Sequence, residues 1–343
     1  MNSSTLVLPP LSALYGAAIR ARLAAYRNGL LSASRLDVPV ISIGNITAGG
    51  TGKTPLVEWV CRALAREGRQ VCILTRGYRR EHPGTRVLVS DGSSVQATEK
   101  EAGDEALLLA QNLKGIAAVV SDARRVAAGK WAIEELGVNS FVLDDGFQHL
   151  QLARDLNVVT VDATDPWGGN QLLPSGRLRE PLSGLERADC IVITRADASN
   201  RLPSLIAEIQ KLVGNRPIFT SRMKPVGTKT LSGEQVESAS LAQPLGSFCG
   251  VGNPNSFFSL LRSSGYRLVL TRAFADHYLY SQNEIDQLVA EARHHGARSL
   301  ITTAKDAVKL QRFSLALPCY VLEIQIEIDE EEQFVSMIRK ALH

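Results

Sequence analysis

The chain has 343 residues, enough for two ordinary domains with sizeable cores. Hydrophobic residues make up 45% and charged residues 21%, a globular composition that argues against long disordered segments. The net charge of +3 is small for this length and argues against a nucleic-acid binder with a strong basic field. Since no two cysteines form a C-x-x-C pair, we expect buried, reduced thiols and no zinc site.

After a Pro-Pro pair, the pattern of residues 11–31 predicts an amphipathic helix. Its apolar side chains fall on one side of a helical wheel and Arg20 and Arg27 nearly opposite, which suits a helix lying in a membrane interface. Arg22 breaks the pattern because it projects from the apolar face. Packing on the chain's own domain is an alternative that the segment leaves open. No stretch reaches the roughly 18–20 apolar residues of a membrane-spanning helix.

From residue 38 onward, short apolar, β-branched runs alternate with helical patterns. Strands are predicted at 38–43, 71–74, 116–120, 140–143, 158–161 and 191–193. Helices are predicted at 55–67, 103–113 and 123–136. Buried strands separated by helices are typical of an α/β fold with a doubly wound, mostly parallel sheet.

Residues 225–244 change character, with Gly, Ser, Thr and Lys and little periodicity, which predicts a linker or domain boundary. Beyond it, strands at 248–251, 268–270, 299–302 and 319–322 alternate with helices at 256–263, 282–294 and 330–342. This predicts a second, smaller α/β domain. The expected organisation is an N-terminal helical segment (1–32), a core domain (33–225) and a C-terminal domain (226–343).

A glycine-rich stretch follows the first predicted strand and leads into a helix. It matches the phosphate-binding loop (P-loop) pattern except that Thr47 replaces the first glycine. Small residues let backbone N–H groups point at phosphate oxygens, and the helix adds its positive end. We expect Lys53 to reach the β- and γ-phosphates and Thr54 to coordinate Mg²⁺. The predicted nucleotide-binding residues are Thr47, Ala48, Gly49, Gly50, Thr51, Gly52, Lys53 and Thr54.

Acids and arginines elsewhere extend the predicted site. Asp144 and Asp145 end a strand as in a Walker B motif, where a carboxylate can hold Mg²⁺ directly or through water; a strand-end cap is the alternative. Arg177 and Arg179 surround a Pro-Ser-Gly turn and could bind phosphate or lie in a solvated loop.

Two further residues could take part in proton transfer. Asp104 opens a helix, so its spacing alone favours a helix cap over a base for an attacking hydroxyl. His277 follows an apolar stretch and could orient a base or contact phosphate, although a lone histidine is more often structural.

The segment Thr194-Arg195-Ala196-Asp197 raises an alternative function. A strand followed by Asn-Lys-x-Asp is how many GTPases bind guanine, and here Thr and Arg replace Asn and Lys. A nucleotide switch acting on a protein partner is therefore a second hypothesis. A peripheral membrane-binding module with a purely structural P-loop is a third.

The ordered motifs resemble one known family. They are Gly44-Asn45, Gly49-Gly50-x-Gly52-Lys53-Thr54-Pro55, Thr75-Arg76-Gly77-Tyr78, Gly103-Asp104-Glu105, Asp144-Asp145-Gly146-Phe147-Gln148-His149, Arg179-Glu180-Pro181 and Asp276-His277. Together they resemble the tetraacyldisaccharide 4′-kinases, the lipid A 4′-kinases of Gram-negative bacteria, over nearly the whole chain. No single motif identifies the family, but the ordered set is highly specific.

The resemblance implies that the γ-phosphate of ATP goes to the 4′-hydroxyl of a tetraacylated glucosamine disaccharide 1-phosphate. The product is then the 1,4′-bisphosphate lipid A precursor, lipid IVA. It also implies Mg²⁺, a P-loop core and a smaller C-terminal domain over a cleft. An N-terminal helix is expected to give peripheral contact with the cytoplasmic face of the bacterial inner membrane. No nucleic acid and no obligate protein partner are expected.

The family's functional residues carry over by motif. The resemblance implies that Asp104 is the base facing the sugar hydroxyl and that His277 is its partner across the cleft. The residues implied to hold nucleotide or metal are Lys53, Thr54, Asp144, Asp145 and, with less support from the motif, Glu180. One departure is visible, because Ala304 stands where the family's Thr-Glu-Lys-Asp segment has Glu, while Lys305 and Asp306 are retained.

Overall fold

The computed structural model describes residues 4–78 and 80–342. Residues 1–3 of the predicted N-terminal segment and His343 of the predicted C-terminal domain lie outside the described residues. Helix α1 spans Ser4–Arg27, so it begins before the two prolines and ends earlier than predicted. Gly29, with φ of 73°, turns the chain away after the helix. Within the described ranges, no helix combines the length and apolarity that a membrane crossing needs.

The first half of the chain builds the predicted parallel sheet, with buried, β-branched strands. Its strands are β1 (Val40–Gly44), β2 (Val71–Thr75), β3 (Val87–Ser90), β4 (Ala117–Ser121), β5 (Ser140–Asp144), β6 (Leu156–Asp162) and β7 (Cys190–Thr194). Its helices are α2 (Lys53–Arg66), α3 (Glu99–Ala102), α4 (Asp104–Asn112), α5 (Arg125–Leu136) and α6 (Leu202–Val213). The strand order is β7-β6-β1-β5-β2-β4-β3, and only the edge strand β3 is antiparallel to its neighbour.

The second half adds a smaller α/β unit, as predicted. Its strands are β8 (Ile218–Thr230), β9 (Gln235–Val236), β10 (Leu245–Cys249), β11 (Leu268–Ala273), β12 (Ser299–Thr303) and β13 (Cys319–Ile328). Its helices are α7 (Pro254–Ser263), α8 (Gln282–His294), α9 (Ala304–Leu310) and α10 (Glu331–Lys340). The order β11-β10-β12-β13-β8 joins this unit to β7, so one continuous sheet runs through the molecule.

The predicted linker at 225–244 is partly wrong, because β8 continues to Thr230. Alternate residues of this strand face solvent, and Pro225 and Gly227 hide its period, so the sequence resembles a loop. The strand pairs along this stretch with β13, a partner about 90 residues later, which local pattern cannot reveal. The division into 33–225 and 226–343 therefore stays a prediction.

Strands β8 and β13 set the relative direction of the two groups of parallel strands in this sheet. The beginning of β8 pairs in parallel with β7, and its later part pairs antiparallel with β13. Strand β12 joins the beginning of β13, opposite the far end of β8. The carboxyl ends of β10 and β12 therefore point back toward those of β1, β5 and β7. Ligands of α/β sheets bind beyond the carboxyl ends of strands. The expected site is therefore the space between the carboxyl ends of β10 and β12 on one side and those of β1, β5 and β7 on the other.

The last helix returns to the core unit. Phe334 of α10 is fully buried, with ring centroids 5.3 Å from Trp59 and 5.0 Å from Phe219. Ile338 packs in the same apolar cluster as α2 and β1. The C-terminal helix thus closes the core sheet on the face that carries α2.

Replacing Phe334 by alanine is expected to lower the free energy of unfolding by about 3–5 kcal/mol, because it leaves a cavity beside the rings of Trp59 and Phe219. Denaturant unfolding followed by circular dichroism measures the change. The control is Leu279→Ala, at a side chain that is 67% exposed, which should change stability by at most about 0.5 kcal/mol. Equal effects of the two variants would contradict the packing described for α10.

Candidate active site

The glycine-rich loop connects β1 to α2 and is held by residues at the end of β7. Gly49 and Gly52 have φ of 115° and 78°, a left-handed conformation that glycine adopts without strain. The Thr194 hydroxyl donates to Thr51 O at 2.9 Å, and Arg195 Nη1 donates to Gly50 O at 3.0 Å. The segment that suggested guanine binding therefore braces the loop through its Thr and Arg.

Lys53 and Asp145 face each other beside the loop. Lys53 Nζ lies 3.5 Å from Asp145 Oδ1 and donates to Asn45 Oδ1 at 3.1 Å. Arg179 Nη1 donates to Asp145 Oδ2 at 2.6 Å. Burial would raise the pKa of Asp145, but the charges of Lys53 and Arg179 outweigh it and hold the pKa below its usual range. Asp145 is therefore an anion that orients the lysine of the loop.

Asp144 is buried at the end of β5 and accepts a hydrogen bond from Thr75 Oγ1 at 3.0 Å. Burial, with the negative charges of Glu105 and Asp145, raises the pKa of Asp144 to about 6. A nearby cation would relieve this repulsion. The buried Asp145 Oδ1 accepts no hydrogen bond within the described part of the chain. With the Thr54 hydroxyl in the first turn of α2, these oxygens form a donor set that fits Mg²⁺.

Glu180 follows Arg179 in the chain, and its carboxylate accepts hydrogen bonds from two other side chains. Gln148 Nε2 donates to its Oε1 at 2.7 Å, and Arg187 Nη2 donates to its Oε2 at 2.7 Å. No group of three or more Asp, Glu, His or Cys side chains in residues 4–78 and 80–342 is arranged to hold a metal. The structure thus brings Asp144 and Asp145 together and leaves Glu180 in an ion pair outside them.

Asp104 and His277 meet across the space between the two units. Asp104 begins α4 of the core, and His277 follows β11 of the smaller unit. His277 Nδ1 lies 2.8 Å from Asp104 Oδ2 and 3.0 Å from Oδ1. His277 has φ of 59°, an uncommon conformation for a histidine that often marks a functional site. The contact joins residues 173 positions apart in the chain.

Asp104 keeps its charge although it is only 6% exposed. Burial would raise the pKa of Asp104, but the hydrogen bond from His277 and the charge of Lys305 lower it below its usual value. Lys309 Nζ is a further cation, 3.9 Å from Asp104 Oδ2. An ionised, buried carboxylate can hold the imidazole of His277 through a charge-assisted hydrogen bond.

The smaller unit also touches the glycine-rich loop. A Cβ added at Gly252, which follows β10, would collide with the backbone nitrogen of Gly50. Asn253 Nδ2 donates to Asp162 Oδ2 at 3.1 Å and to Thr164 Oγ1 at 2.9 Å. Asp162 in turn accepts from Arg195 Nη1 at 2.5 Å. The two units are therefore in direct contact at the loop.

Helix α1 packs beside the same region. Tyr15 OH donates to Arg179 O at 2.7 Å, and Ser12 Oγ donates to Leu172 O at 3.1 Å. Leu11 and Leu14 remain 46% and 69% exposed. The helix thus packs on its own protein through one side and presents leucines on another.

Arg22 of α1 and the two arginines around the Pro-Ser-Gly turn contact other side chains of the protein. The Arg22 guanidinium lies 5.9 Å from the Tyr26 ring. Arg177 pairs with Asp165, and Arg179 pairs with Asp145. These two arginines therefore order acids beside the site.

Sequence patterns did not predict the roles of several residues. Lys305 and Lys309 lie on one face of α9 and approach Asp104 and its partner, but nothing local links α9 to α4. Arg125, buried beneath the Asp144 carbonyl, carries no motif. For Lys305, its place in the Thr-Ala-Lys-Asp run was the available signal.

Comparison with known proteins shows which family the chain is similar to. The family model described as tetraacyldisaccharide-1-P 4′-kinase matches residues 4–343. A protein named tetraacyldisaccharide 4′-kinase from Geobacter metallireducens is 42% identical over 306 residues, covering 89% of this chain and 88% of that protein. One of the same name from Desulfotalea psychrophila is 37% identical over 313 residues, covering 91% and 89%.

A solved structure covers the whole fold. The crystal structure of the "apo" form of LpxK from Aquifex aeolicus in complex with ATP has a TM-score of 0.78 and 31% identity, covering 99% of both chains. The fold, the arrangement of motifs and these relatives lead to one conclusion. The chain belongs to the tetraacyldisaccharide-1-P 4′-kinase family.

Proposed function

We propose that this protein transfers the γ-phosphate of ATP to the 4′-hydroxyl of a tetraacylated glucosamine disaccharide 1-phosphate, giving the 1,4′-bisphosphate lipid A precursor. Family membership supports the reaction. The observation that carries it is the contact between Asp104 and His277 across the two units. Glu105, next to Asp104, and Lys53 of the loop both act electrostatically on Asp144, so the two groups are neighbours. The proposal assigns a phosphate donor site and a proton acceptor to the same side of the molecule.

The proposed reaction is a phosphate transfer from ATP to a sugar hydroxyl. The backbone of residues 47–54 and Lys53 hold the phosphates of ATP. Asp104 takes the proton of the sugar hydroxyl, whose oxygen bonds to the γ-phosphorus as the bond to ADP breaks. The products are the phosphomonoester and ADP. His277 donates to Asp104 from across the cleft and orients its carboxylate.

Mg²⁺, when bound, would neutralise charge on the phosphate oxygens, and Thr54, Asp144 and Asp145 would hold it. Glu180 supports the site indirectly in this proposal. Its ion pair with Arg187 and its bond to Gln148 order the chain beside Asn45, whose carbonyl also accepts from Gln148 Nε2 at 2.8 Å.

Release of ADP distinguishes this function from a nucleotide switch. With ATP, ADP should appear at a substantial rate only when the disaccharide lipid is supplied in detergent, in equal amount with phosphorylated lipid. A kinase shields its phosphate from water, whereas a GTPase hydrolyses nucleotide without an acceptor. Rapid hydrolysis of GTP with no lipid product, by folded protein, would contradict the proposal.

We also propose peripheral contact with the cytoplasmic face of the inner membrane through α1. The exposed Leu11 and Leu14 lie on the helix that contacts Arg179 through Tyr15, close to the cleft. Leu30 and Leu31, just after the helix, are 79% and 46% exposed. Leucines beside a site for an acylated substrate would bury apolar surface in the same bilayer.

Replacing Leu11 and Leu14 together by serine should lower binding to anionic vesicles at least about tenfold, because each leucine contributes about 1.5–3 kcal/mol on transfer from water. Co-sedimentation measures the partition coefficient. Activity on lipid in detergent micelles should change much less. The control is Leu279→Ser in the smaller unit, at a leucine about as exposed as Leu14, and equal loss of vesicle binding by both would contradict a role for α1.

A further inference from the structure

Arg177 belongs to a short extended segment that runs alongside the glycine-rich loop. Ala48 N donates to Arg177 O at 2.6 Å, and Arg179 N donates to Ile46 O at 2.7 Å. An antiparallel bridge lies between these two hydrogen bonds. The backbone of residues 177–179 is therefore fixed against the first residues of the loop.

The extended backbone sets the direction of the Arg177 side chain. Residues two apart in an extended segment present their side chains on the same side, and the residue between them faces the other way. Leu178, between the two arginines, is buried among apolar side chains. Arg177 and Arg179 therefore project together on the opposite side, where Arg179 reaches Asp145.

The guanidinium of Arg177 is held by a neighbouring loop. Asp165 accepts from Gly168 N at 3.0 Å through Oδ1 and from Arg177 Nη2 through Oδ2. Arg177 N donates to Gly168 O at 3.0 Å, and a Cβ added at Gly168 would collide with Cβ of Arg177. Asp165 is 44% exposed, so water screens its charge. The ion pair thus orients the guanidinium through one of its two terminal nitrogens.

The other terminal nitrogen of Arg177 lies against the loop. A Cβ added at Gly49 would be 3.4 Å from Arg177 Nη1, and no other atom of residues 4–78 and 80–342, chain neighbours aside, lies within 4 Å of that position. The Arg177 side chain is 41% exposed, so a ligand can reach it. Backbone amides of such loops point at phosphate oxygens, and a guanidinium beside them can donate to the same phosphates.

The surroundings of Arg177 select the end of the nucleotide that it faces. Lys53 reaches the β- and γ-phosphates in loops of this kind, and its ammonium lies 3.5 Å from Asp145 Oδ1. Arg179 contacts the other oxygen of Asp145, and Arg177 projects on the same side as Arg179. Charge in the transition state spreads over the three equatorial oxygens of the γ-phosphate. A second cation on the side of Lys53 would therefore stabilise it.

We propose that Arg177 is a catalytic residue that contacts the γ-phosphate of bound ATP and stabilises the charge that develops as this phosphate leaves ADP. The acceptor rests on the proposed function, whereas the contact concerns the nucleotide alone. An arginine supplied by the same chain acts in this way in other P-loop proteins. Arg177 transfers no proton. The bond from the γ-phosphorus to the bridging oxygen breaks with its electron pair on ADP, and the acceptor oxygen bonds to the phosphorus.

Nucleotide binding without an acceptor tests the contact. Arg177→Ala should weaken binding of the β,γ-methylene analogue of ATP with Mg²⁺ about tenfold or more, the effect of losing one hydrogen bond to a charged group, and leave ADP binding within about twofold. Isothermal titration calorimetry measures both affinities. The control is Arg222→Ala, at a half-exposed arginine that pairs with Glu327 at 3.1 Å and should change neither affinity. Equal weakening of both nucleotides, or of neither, would overturn the proposal.

The rate of transfer tests the catalytic role. At saturating ATP, Arg177→Ala should lower the single-turnover rate of transfer to the lipid about 10²–10³-fold, as for loss of one electrostatic donor. Arg177→Lys keeps a charge but loses the planar fork, so its rate should fall between those of wild type and Arg177→Ala. Thermal unfolding verifies that both variants fold.

The outcomes separate this inference from the proposed function. If Arg177→Ala discriminates between the analogue and ADP as expected, but wild-type protein transfers no phosphate to the lipid, the contact stands and the proposed acceptor is wrong. If Arg177→Ala transfers phosphate to the lipid at the wild-type rate, Arg177 is not catalytic and the inference falls. The proposed lipid kinase then stands without it.

Discussion

Replacing Asp104 by asparagine should lower kcat for phosphate transfer to the lipid about 10²–10⁴-fold. The amide keeps the shape of the carboxylate and can still accept a hydrogen bond from His277 Nδ1. It has no basic oxygen to take the proton of the attacking hydroxyl. Single-turnover transfer from labelled ATP measures the chemical step, and affinity for ATP should change little because Asp104 lies outside the phosphate loop.

Two comparisons make this result specific. Asp37→Asn alters an exposed aspartate ahead of β1 and should retain full kcat. His277→Ala should reduce the same step, and combining it with Asp104→Asn should cost less than the two separate effects together, because the residues act as a unit. Near-normal kcat for Asp104→Asn, in protein that binds ATP normally, would remove Asp104 from the mechanism.

Replacing Lys53 by methionine should cost on the order of 2.7–4 kcal/mol of transition-state stabilisation, or about 10²–10³-fold in kcat, as for loss of one electrostatic donor. The ammonium contacts Asp145 and Asn45 beside the glycine-rich loop, and methionine retains only the apolar stem of the lysine. The same transfer assay at saturating ATP measures the loss.

Lys100→Met is the matched control for this second change. Lys100 is 66% exposed and pairs with Glu81 at 3.7 Å on the surface, so its loss should leave transfer unaffected. Thermal unfolding verifies that both variants fold. Wild-type activity of Lys53→Met would mean that the phosphate loop is only structural, as in a membrane-binding module that does no chemistry.

The regular part of the fold could be predicted because local signals coincide there. The helix predicted at 282–294 is α8, with Ser281 and Glu284 forming a capping box. Strand β5 is an apolar run that ends in Asp144 as predicted. Helix α6 and strand β8 were not predicted. The period of β8 is broken by Pro225 and Gly227, and its partner lies far along the chain.

The site could be predicted only in part, because some of its residues come from distant parts of the chain. The phosphate loop is one contiguous segment, so Lys53 and Thr54 are visible in the sequence. By spacing alone, Asp104 resembles a helix cap and His277 a structural histidine. Their contact depends on the opposite directions of the two groups of parallel strands, which the β8–β13 pairing sets. The resemblance to a family implied that Asp104 and His277 act together, and the contact between the two side chains is consistent with that implication.

The position of the transferred phosphate tests the central claim most directly. Wild-type protein is incubated with γ-labelled ATP and the tetraacylated disaccharide 1-phosphate in detergent, and the lipid product is fragmented by tandem mass spectrometry. The account predicts one new phosphate on the 4′-oxygen of the distal glucosamine, abolished in parallel by Asp104→Asn and Lys53→Met. Label on another oxygen, or none on lipid with folded protein that binds ATP, would contradict it.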